Sequence, residues 1–374
     1  MRIVVAPDKF AGSLTAPQVV AQLQQGWLSV RPDDEVVSIP LSDGGPGFID
    51  CLAATAAGEV HTLAVTGPMG TTVSAKVLAG PTWYIEAAQA NGLHHVAVAD
   101  RDPWHATTFG VGQLIGAVVA AGARRVVVGL GGAATDDGGA GALGALGATA
   151  TDAASAPVDL SAGPAALAGV MNVDLRPARA VLKGVELVIA TDVDNPLLGP
   201  EGATMMFAPQ KGAAAADLVA LEEIMGQWAD ACGTVPGDRG LAGTPGAGAA
   251  GGLGFALMLL GGRRVPGIDV IMAATDFVTR CRSADLVITG EGRLDEQSLH
   301  GKVVSGVVAA AGGVPVAVVA GQSLLPPAQW RAAGIARVET LVQRAASTQD
   351  AIARAAPLTK QVGADLAAAV EVRS

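Results

Sequence analysis

Short apolar runs rich in Val and Ile recur along this chain, and each stops abruptly at a loop bearing Gly or Asp. That pattern restricts the fold more than any other feature. Residues 3–6 end in Pro7-Asp8, and residues 36–39 end in Pro40-Leu41-Ser42-Asp43-Gly44-Gly45. Between them, Thr15-Ala16-Pro17 opens a segment with apolar residues at Val19, Val20, Leu23 and Trp27, the spacing of an amphipathic helix. Strands this short and apolar, joined by a helix, imply a parallel sheet covered on both faces.

The texture then changes. Residues 60–65, 71–78, 82–85 and 96–99 are β-prone runs, with turns at Gly67-Pro68-Met69-Gly70 and Gly80-Pro81. They predict an antiparallel or mixed sheet and the start of a second domain. Further along come a helix near 110–121, a strand over 125–130, a strand over 187–190 that leads into Thr191-Asp192, and a helix over about 214–231. Residues 138–169 are biased toward Ala and Gly and read as partly loop. The Gly/Pro/Ala-rich stretch 233–252 reads as a functional loop or a loop plus helix start. The strand rhythm returns at 285–289, 314–320 and 336–341. The expected architecture is therefore α/β. A Rossmann-like, doubly wound parallel sheet domain is formed by 1–62 and 280–374, and a second α/β domain of mixed sheet, 63–279, is inserted into it.

Open parallel sheets bind ligands beyond the carboxyl ends of their strands. Five of these ends carry an Asp beside Gly or another small residue: Asp8, Asp43, the run Gly131 to Gly139 with Asp136 and Asp137, Asp192, and Gly290-Glu291-Gly292-Arg293-Leu294-Asp295. One such Asp is ordinarily a solvated turn residue. Their recurrence predicts a cleft lined with acids that serve Mg²⁺ or act as a general base. Gly-rich loops let backbone N–H groups approach phosphates, and Lys9, Lys211, Arg293 and Lys302 are available to balance anionic charge.

Other classes are disfavoured. A net charge of −10 with 3% aromatic residues leaves neither a basic face nor stacking platforms for nucleic acid. Cys51, Cys232 and Cys281 fit neither a disulfide framework nor a CxxC zinc site. Residues 1–8 are too short an apolar segment for a signal-peptide core. The apolar stretches 111–130 and 246–260 are interrupted by Gly, unlike a transmembrane span. A soluble, cytoplasmic protein is expected. Gly246-Ala247-Gly248-Ala249-Ala250-Gly251 matches GxGxxG but follows a Gly/Pro-rich stretch, whereas a dinucleotide site needs a strand there. There is no GxxxxGK[ST] sequence, and His94-His95 has no third metal ligand nearby in sequence.

Taken in order, several segments resemble the bacterial glycerate kinase family. They are Ala6-Pro7-Asp8-Lys9-Phe10, Ser42-Asp43-Gly44-Gly45, Gly131 to Gly139, Thr191-Asp192-Val193-Asp194-Asn195-Pro196-Leu197, Phe207-Ala208-Pro209-Gln210-Lys211-Gly212, Pro245 to Gly252, and Ile288 to Asp295 through Gly301-Lys302. The resemblance implies ATP- and Mg²⁺-dependent phosphorylation of D-glycerate, commonly at the 2-hydroxyl, in a cleft between the two domains. It implies Asp192 as base or orienter of the substrate hydroxyl, in a catalytic group with Asp8, Asp43, Asp295 and Lys302. Asp43 and Asp295 are the implied metal ligands. Ser13, Arg293, Gly44, Gly45 and Asp137 would bind substrate, and Gly131, Gly132, Gly248 and Lys211 the nucleotide. The implied partners are glycerate and nucleotide, with no nucleic acid and no membrane, and a homo-oligomer is compatible with it.

Four positions depart from the family pattern. Pro46-Gly47-Phe48 stands where Glu-Gly-Thr is usual, Ala11 where Lys is frequent, Ala133 for Ser and Asp136 for Asn. They bear on substrate identity more than on reaction class. They leave open a kinase for a related hydroxy acid, or a ligand-binding homologue with impaired catalysis.

Overall fold

The computed structural model describes residues 1–56, 58–233, 240–299 and 302–370. It divides into two compact units, one formed by Met1–Asp43, Asp50–Ala57 and Pro266–Ser374, the other by Gly44–Ile49 and Gly58–Val265. The sequence reading placed these divisions at 62/63 and 279/280 and kept 44–49 with the first unit.

The chain starts in the first unit with β1 (Arg2–Val5), a helix at Ala16–Val30, and β2 (Glu35–Ser38). The helix begins where the sequence says it should. Thr15 is its N-cap: its hydroxyl accepts from the Gln18 N–H, the Gln18 side chain accepts from the Thr15 N–H, and a Pro occupies the first turn. This reciprocal pair satisfies donors that a helix start leaves open. Val19, Leu23 and Trp27 are buried against the sheet.

The second unit carries β3 (Glu59–Thr66), β4 (Thr72–Ala79), β5 (Trp83–Glu86), β6 (Arg125–Gly129), β7 (Thr149–Asp152), β8 (Pro157–Val158), β9 (Val170–Asp174), β10 (Glu186–Ala190) and β11 (Arg263–Val265). Its main sheet has the order β11-β10-β6-β5-β4-β3, parallel from β11 to β5 and antiparallel beyond. This is the mixed sheet that the two Gly-Pro turns predicted. A small sheet, β8-β7-β9, has β7 and β8 within the segment expected to be partly loop, and β9 just after it. Its strands are only two to five residues long, too short for a period-2 pattern to mark them.

The expected strand at 96–99 does not form. Leu93–His95 and Val98–Asp100 are 3₁₀ turns, and Val98 is exposed. A run of so few residues carries too little periodicity to separate strand from turn. Part of the stretch expected as loop plus helix start, 234–239, lies outside the described residues. A helical segment does begin at Ala249, through Ala250, Gly251 and Gly252 at φ of 53°, 68° and 86°. Here the glycines are required. A Cβ on Gly251 would collide with the Thr135 carbonyl, and one on Gly252 would lie 2.6 Å from the Gly138 Cα. Residues 240–248 lead in as turns, so no strand directly precedes this GxGxxG.

The chain returns to the first unit with β12 (Leu286–Leu294), β13 (Val316–Ser323) and β14 (Arg337–Thr340), giving an all-parallel sheet of order β14-β13-β12-β1-β2. The α/β expectation, a doubly wound parallel sheet plus a second unit of mixed sheet, therefore holds. β1 pairs with β12 in register Ile3↔Leu286. From β1 the chain winds one way to β2, while β12, β13 and β14 wind the other way. The switch of direction falls between β1 and β12, where such sheets open a crevice.

One face of this sheet is covered by the helices Ala16–Val30 and Ala355–Ala369, whose backbones meet at Gly26 and Gly363. A Cβ on Gly26 would collide with the Lys360 carbonyl, and one on Gly363 would meet the Leu23 carbonyl oxygen. Overpacking at a backbone contact forces the helices apart. Gly26→Ala is expected to destabilise the fold by about 1–3 kcal/mol, read as a lower denaturation midpoint; an unchanged midpoint would show that the helices separate freely.

Candidate active site

A cavity of about 370 Å³ lies in the first unit at the β1/β12 switch point. Its walls bring together Asp8, Lys9 and Ser13 after β1, Asp43 after β2, and Glu291, Arg293 and Lys302 from β12 and the segment beyond it. Of the expected residues, Asp8, Ser13, Asp43, Arg293 and Lys302 thus share one cavity.

Each is positioned by local structure. The Asp8 N–H donates to the Gly290 carbonyl, which ties the first loop to β12, and Asp8 Oδ1 accepts from the Lys9 N–H at 2.7 Å. Lys9 Nζ lies 3.7 Å from Asp8 Oδ1 and 3.5 Å from Asp43 Oδ1, so one ammonium bridges two carboxylates. Gly12, at φ 79°, lets the chain double back so that the Ser13 N–H and hydroxyl both donate to the Phe10 carbonyl. Lys302 Nζ donates to Gln297 Oε1 at 2.7 Å. Asp295 is not in the lining. It accepts from the Gln297 N–H at 3.0 Å and pairs with Arg293 at 3.4 Å, in the manner of a turn cap.

Burial dominates the electrostatics. Desolvation pushes the Asp8 carboxyl up to about 6; Asp43 adds to the rise, while Lys9 opposes it. Burial works against the Lys9 ammonium, but Asp43 and Asp8 outweigh it and leave its pKa above the ordinary lysine value.

Glu291 was quoted in the strand-end motif but not singled out as a site residue. Burial pushes it up to about 7, with Ser298 and Lys302 opposing and Asp8 and Asp295 adding. Its Oε1 is buried without a hydrogen-bond partner among the described residues. It was missed because the strand was expected to end at Thr289. β12 runs on to Leu294 and pairs Glu291 with Ala320 and Arg293 with Gln322. Gly290 and Gly292 read as loop punctuation, yet a Cβ on Gly290 would strike the Val319 carbonyl. The glycine is there for strand-to-strand approach. The aliphatic wall of the cavity, Leu341, Val342, Ala351 and Ile352, carried no sequence signal of function.

The remaining expected residues belong to the second unit. Asp192 is half-buried just beyond β10, where the Thr191 N–H donates to Val265 and the Thr191 hydroxyl accepts from the Val193 N–H. Gly44, Gly45, Gly131 and Gly132 do come together, but as a backbone contact. A Cβ on Gly131 would lie 2.8 Å from the Gly45 Cα, and one on Gly132 2.6 Å from Pro46 Cγ. Gly248 packs on the Pro196 carbonyl, and its N–H donates to Asn195.

Asp137 and Lys211 are buried and bonded to the protein's own groups. Asp137 is fully buried and accepts from the Thr108 N–H and hydroxyl and from the Gly139 and Gly141 N–H groups. Lys211, 2% exposed, donates to the Thr135 carbonyl at 2.8 Å and pairs with Asp136 at 3.0 Å, while the Thr204 hydroxyl holds the other Asp136 oxygen. These charges anchor the 131–139 loop from inside, a use that an acid beside glycines does not distinguish from ligand binding. Departure Asp136 is the partner of that lysine, and departure Pro46 covers Gly132.

Residues 3–371 match the model of the glycerate kinase family. The chain is 40% identical to the glycerate kinase of Bacillus subtilis (strain 168), covering 100% of this chain and 98% of the relative. It is 39% identical to the glycerate 2-kinase of Escherichia coli (strain K12), covering 82% and 81%. A crystal structure from Salmonella typhimurium LT2, provisionally assigned as glycerate kinase 2, superposes with a TM-score of 0.81 at 34% identity, covering 98% of this chain and 97% of that one.

Two outcomes are expected. A carboxyl whose pKa is raised on folding contributes stability that is fully present below its unfolded value and lost as pH rises through the folded one. For Glu291 that window runs from 4.5 to about 7. Glu291→Gln should therefore gain stability over the unmodified protein on going from pH 5 to pH 8, on the order of 2 kcal/mol, seen in denaturant midpoints at the two pH values. A pH-independent difference would contradict it. Lys211→Met leaves Asp136 as an uncompensated buried charge and should cost about 3–5 kcal/mol in the same measurement.

Proposed function

The chain belongs to the glycerate kinase family and is a kinase, and from that premise we propose that it transfers the terminal phosphoryl group of ATP to D-glycerate, at the 2-hydroxyl. The regiochemistry is supported by the name of the Escherichia coli relative. The observation that carries the reading is the switch-point cavity, in which Asp8, Asp43 and Glu291 stand with Lys9, Arg293 and Lys302. Phosphoryl transfer asks little covalent chemistry of a protein. It asks for alignment, charge neutralisation and a group to orient the attacking hydroxyl.

The residues fit a phosphate–metal ligand. Asp43, paired with Lys9 and 43% exposed at its side chain, would offer a carboxylate oxygen to a divalent cation, and Asp295, outside the cavity lining, is capped by Gln297 and Arg293. A bound Mg²⁺ would neutralise charge on the transferred group. Lys9, Arg293 and Lys302 would hold phosphate or carboxylate oxygens. The half-buried Asp192 is proposed as the acceptor of the substrate hydroxyl proton.

Among the described residues, no helix is long and apolar enough to cross a membrane, and Cys51, Cys232 and Cys281 are buried thiols; a cytoplasmic location accords with both.

Protein incubated with ATP, Mg²⁺ and D-glycerate should release ADP, and phosphorus NMR should identify 2-phosphoglycerate. No ADP above the substrate-free control would sink the reading, and preferential turnover of another hydroxy acid would replace its substrate. Asp192→Asn should lower kcat by about 10²–10⁴-fold; a kcat near that of the unmodified enzyme would remove Asp192 from this role.

A further inference from the structure

The switch-point cavity combines two chemistries in its lining: the charged Asp8, Lys9, Arg293 and Lys302, and the aliphatic Leu341, Val342, Ala351 and Ile352. Ile352 is 46% exposed, although it lines the cavity wall. A three-carbon hydroxy acid has no apolar face to cover such a wall, whereas a nucleobase does. A cavity of about 370 Å³ also falls in the range typical for much larger ligands, about 300–1,000 Å³. Two neutral polar side chains also line the cavity: Gln322 near the end of β13, paired with Arg293 in register, and Thr348. They can pair with the edge of a base.

A further observation concerns the sugar. Glu291 Oε1 is buried in this cavity without a donor among the described residues. A buried acceptor left unpaired is unfavourable, and a ligand hydroxyl would satisfy it. We propose that the cavity is the nucleoside half of the nucleotide site, with the base on the Val342–Ala351–Ile352 wall and a ribose hydroxyl donating to Glu291 Oε1. The phosphates then extend toward Lys9, Arg293 and Lys302. This inference rests on the reading of ATP as phosphoryl donor. It places the nucleotide away from Gly131, Gly132, Gly248 and Lys211, whose close contacts are made with the protein itself.

Equilibrium calorimetry tests it without turnover, using ADP, 2′-deoxy-ADP, 3′-deoxy-ADP and D-glycerate as titrants. On the unmodified protein, one of the deoxy nucleotides should bind about tenfold more weakly than ADP. On Glu291→Leu, which removes the acceptor, that discrimination should shrink to within about twofold. Ile352→Asp should weaken ADP about tenfold while glycerate affinity holds, and Ile352→Leu, which keeps an aliphatic wall, should retain ADP affinity. Discrimination that persists in Glu291→Leu, or loss of glycerate rather than ADP affinity in Ile352→Asp, would overturn the inference while leaving the kinase reading intact. A failure of the unmodified protein to bind ADP at all would overturn both.

Discussion

The parallel pairing of β1 with β12 is the constraint on which the first unit depends. It joins Ile3 to Leu286, so the sheet is assembled from the two ends of the chain. Closing so long a loop costs entropy before any contact repays it. The return comes from a sheet buried on both faces and from the apposed helices Ala16–Val30 and Ala355–Ala369. The same pairing sets the direction switch between β1 and β12. It thereby puts the Asp8–Lys9 loop beside Gly290 and Glu291, and the cavity follows from the topology.

The second unit depends on a different device. Its 131–139 loop is held by buried polar groups: Lys211 with Asp136 and Thr135, Thr108 with Asp137, and the Trp228 indole on the Gly138 carbonyl. Gly251 and Gly252 let the next segment press directly onto that loop. A buried ion pair contributes little net stability over an apolar replacement, but removing one member is costly. Such a network fixes one conformation of a glycine-rich loop that would otherwise have many.

Much of the candidate site was legible beforehand. Strand ends in a parallel sheet are where ligands bind, and the Asp residues following β1 and β2 do line the cavity. What failed to read was the distinction between a glycine that admits a ligand and one that admits another stretch of backbone. Gly131, Gly132 and Gly248 have the same one-letter signature in both cases. Glu291 escaped for a related reason, since flanking glycines disguised a strand as a loop. Lys211 looked like a phosphate partner because a buried and an exposed lysine are identical in sequence.

The amino-acid order by itself determined the α/β class, the helix start at Thr15 and the hairpin of β3 and β4, because these rest on local periodicity, capping and turn chemistry; the family was legible separately, in the resemblance of its ordered motifs. Tertiary structure alone decided which acids share a cavity, which are consumed in packing, and that Leu341, Val342, Ala351 and Ile352 line the same cavity as Asp8 and Glu291. Those outcomes depend on contacts between segments hundreds of residues apart, and no local pattern of side chains encodes which neighbour a residue will meet.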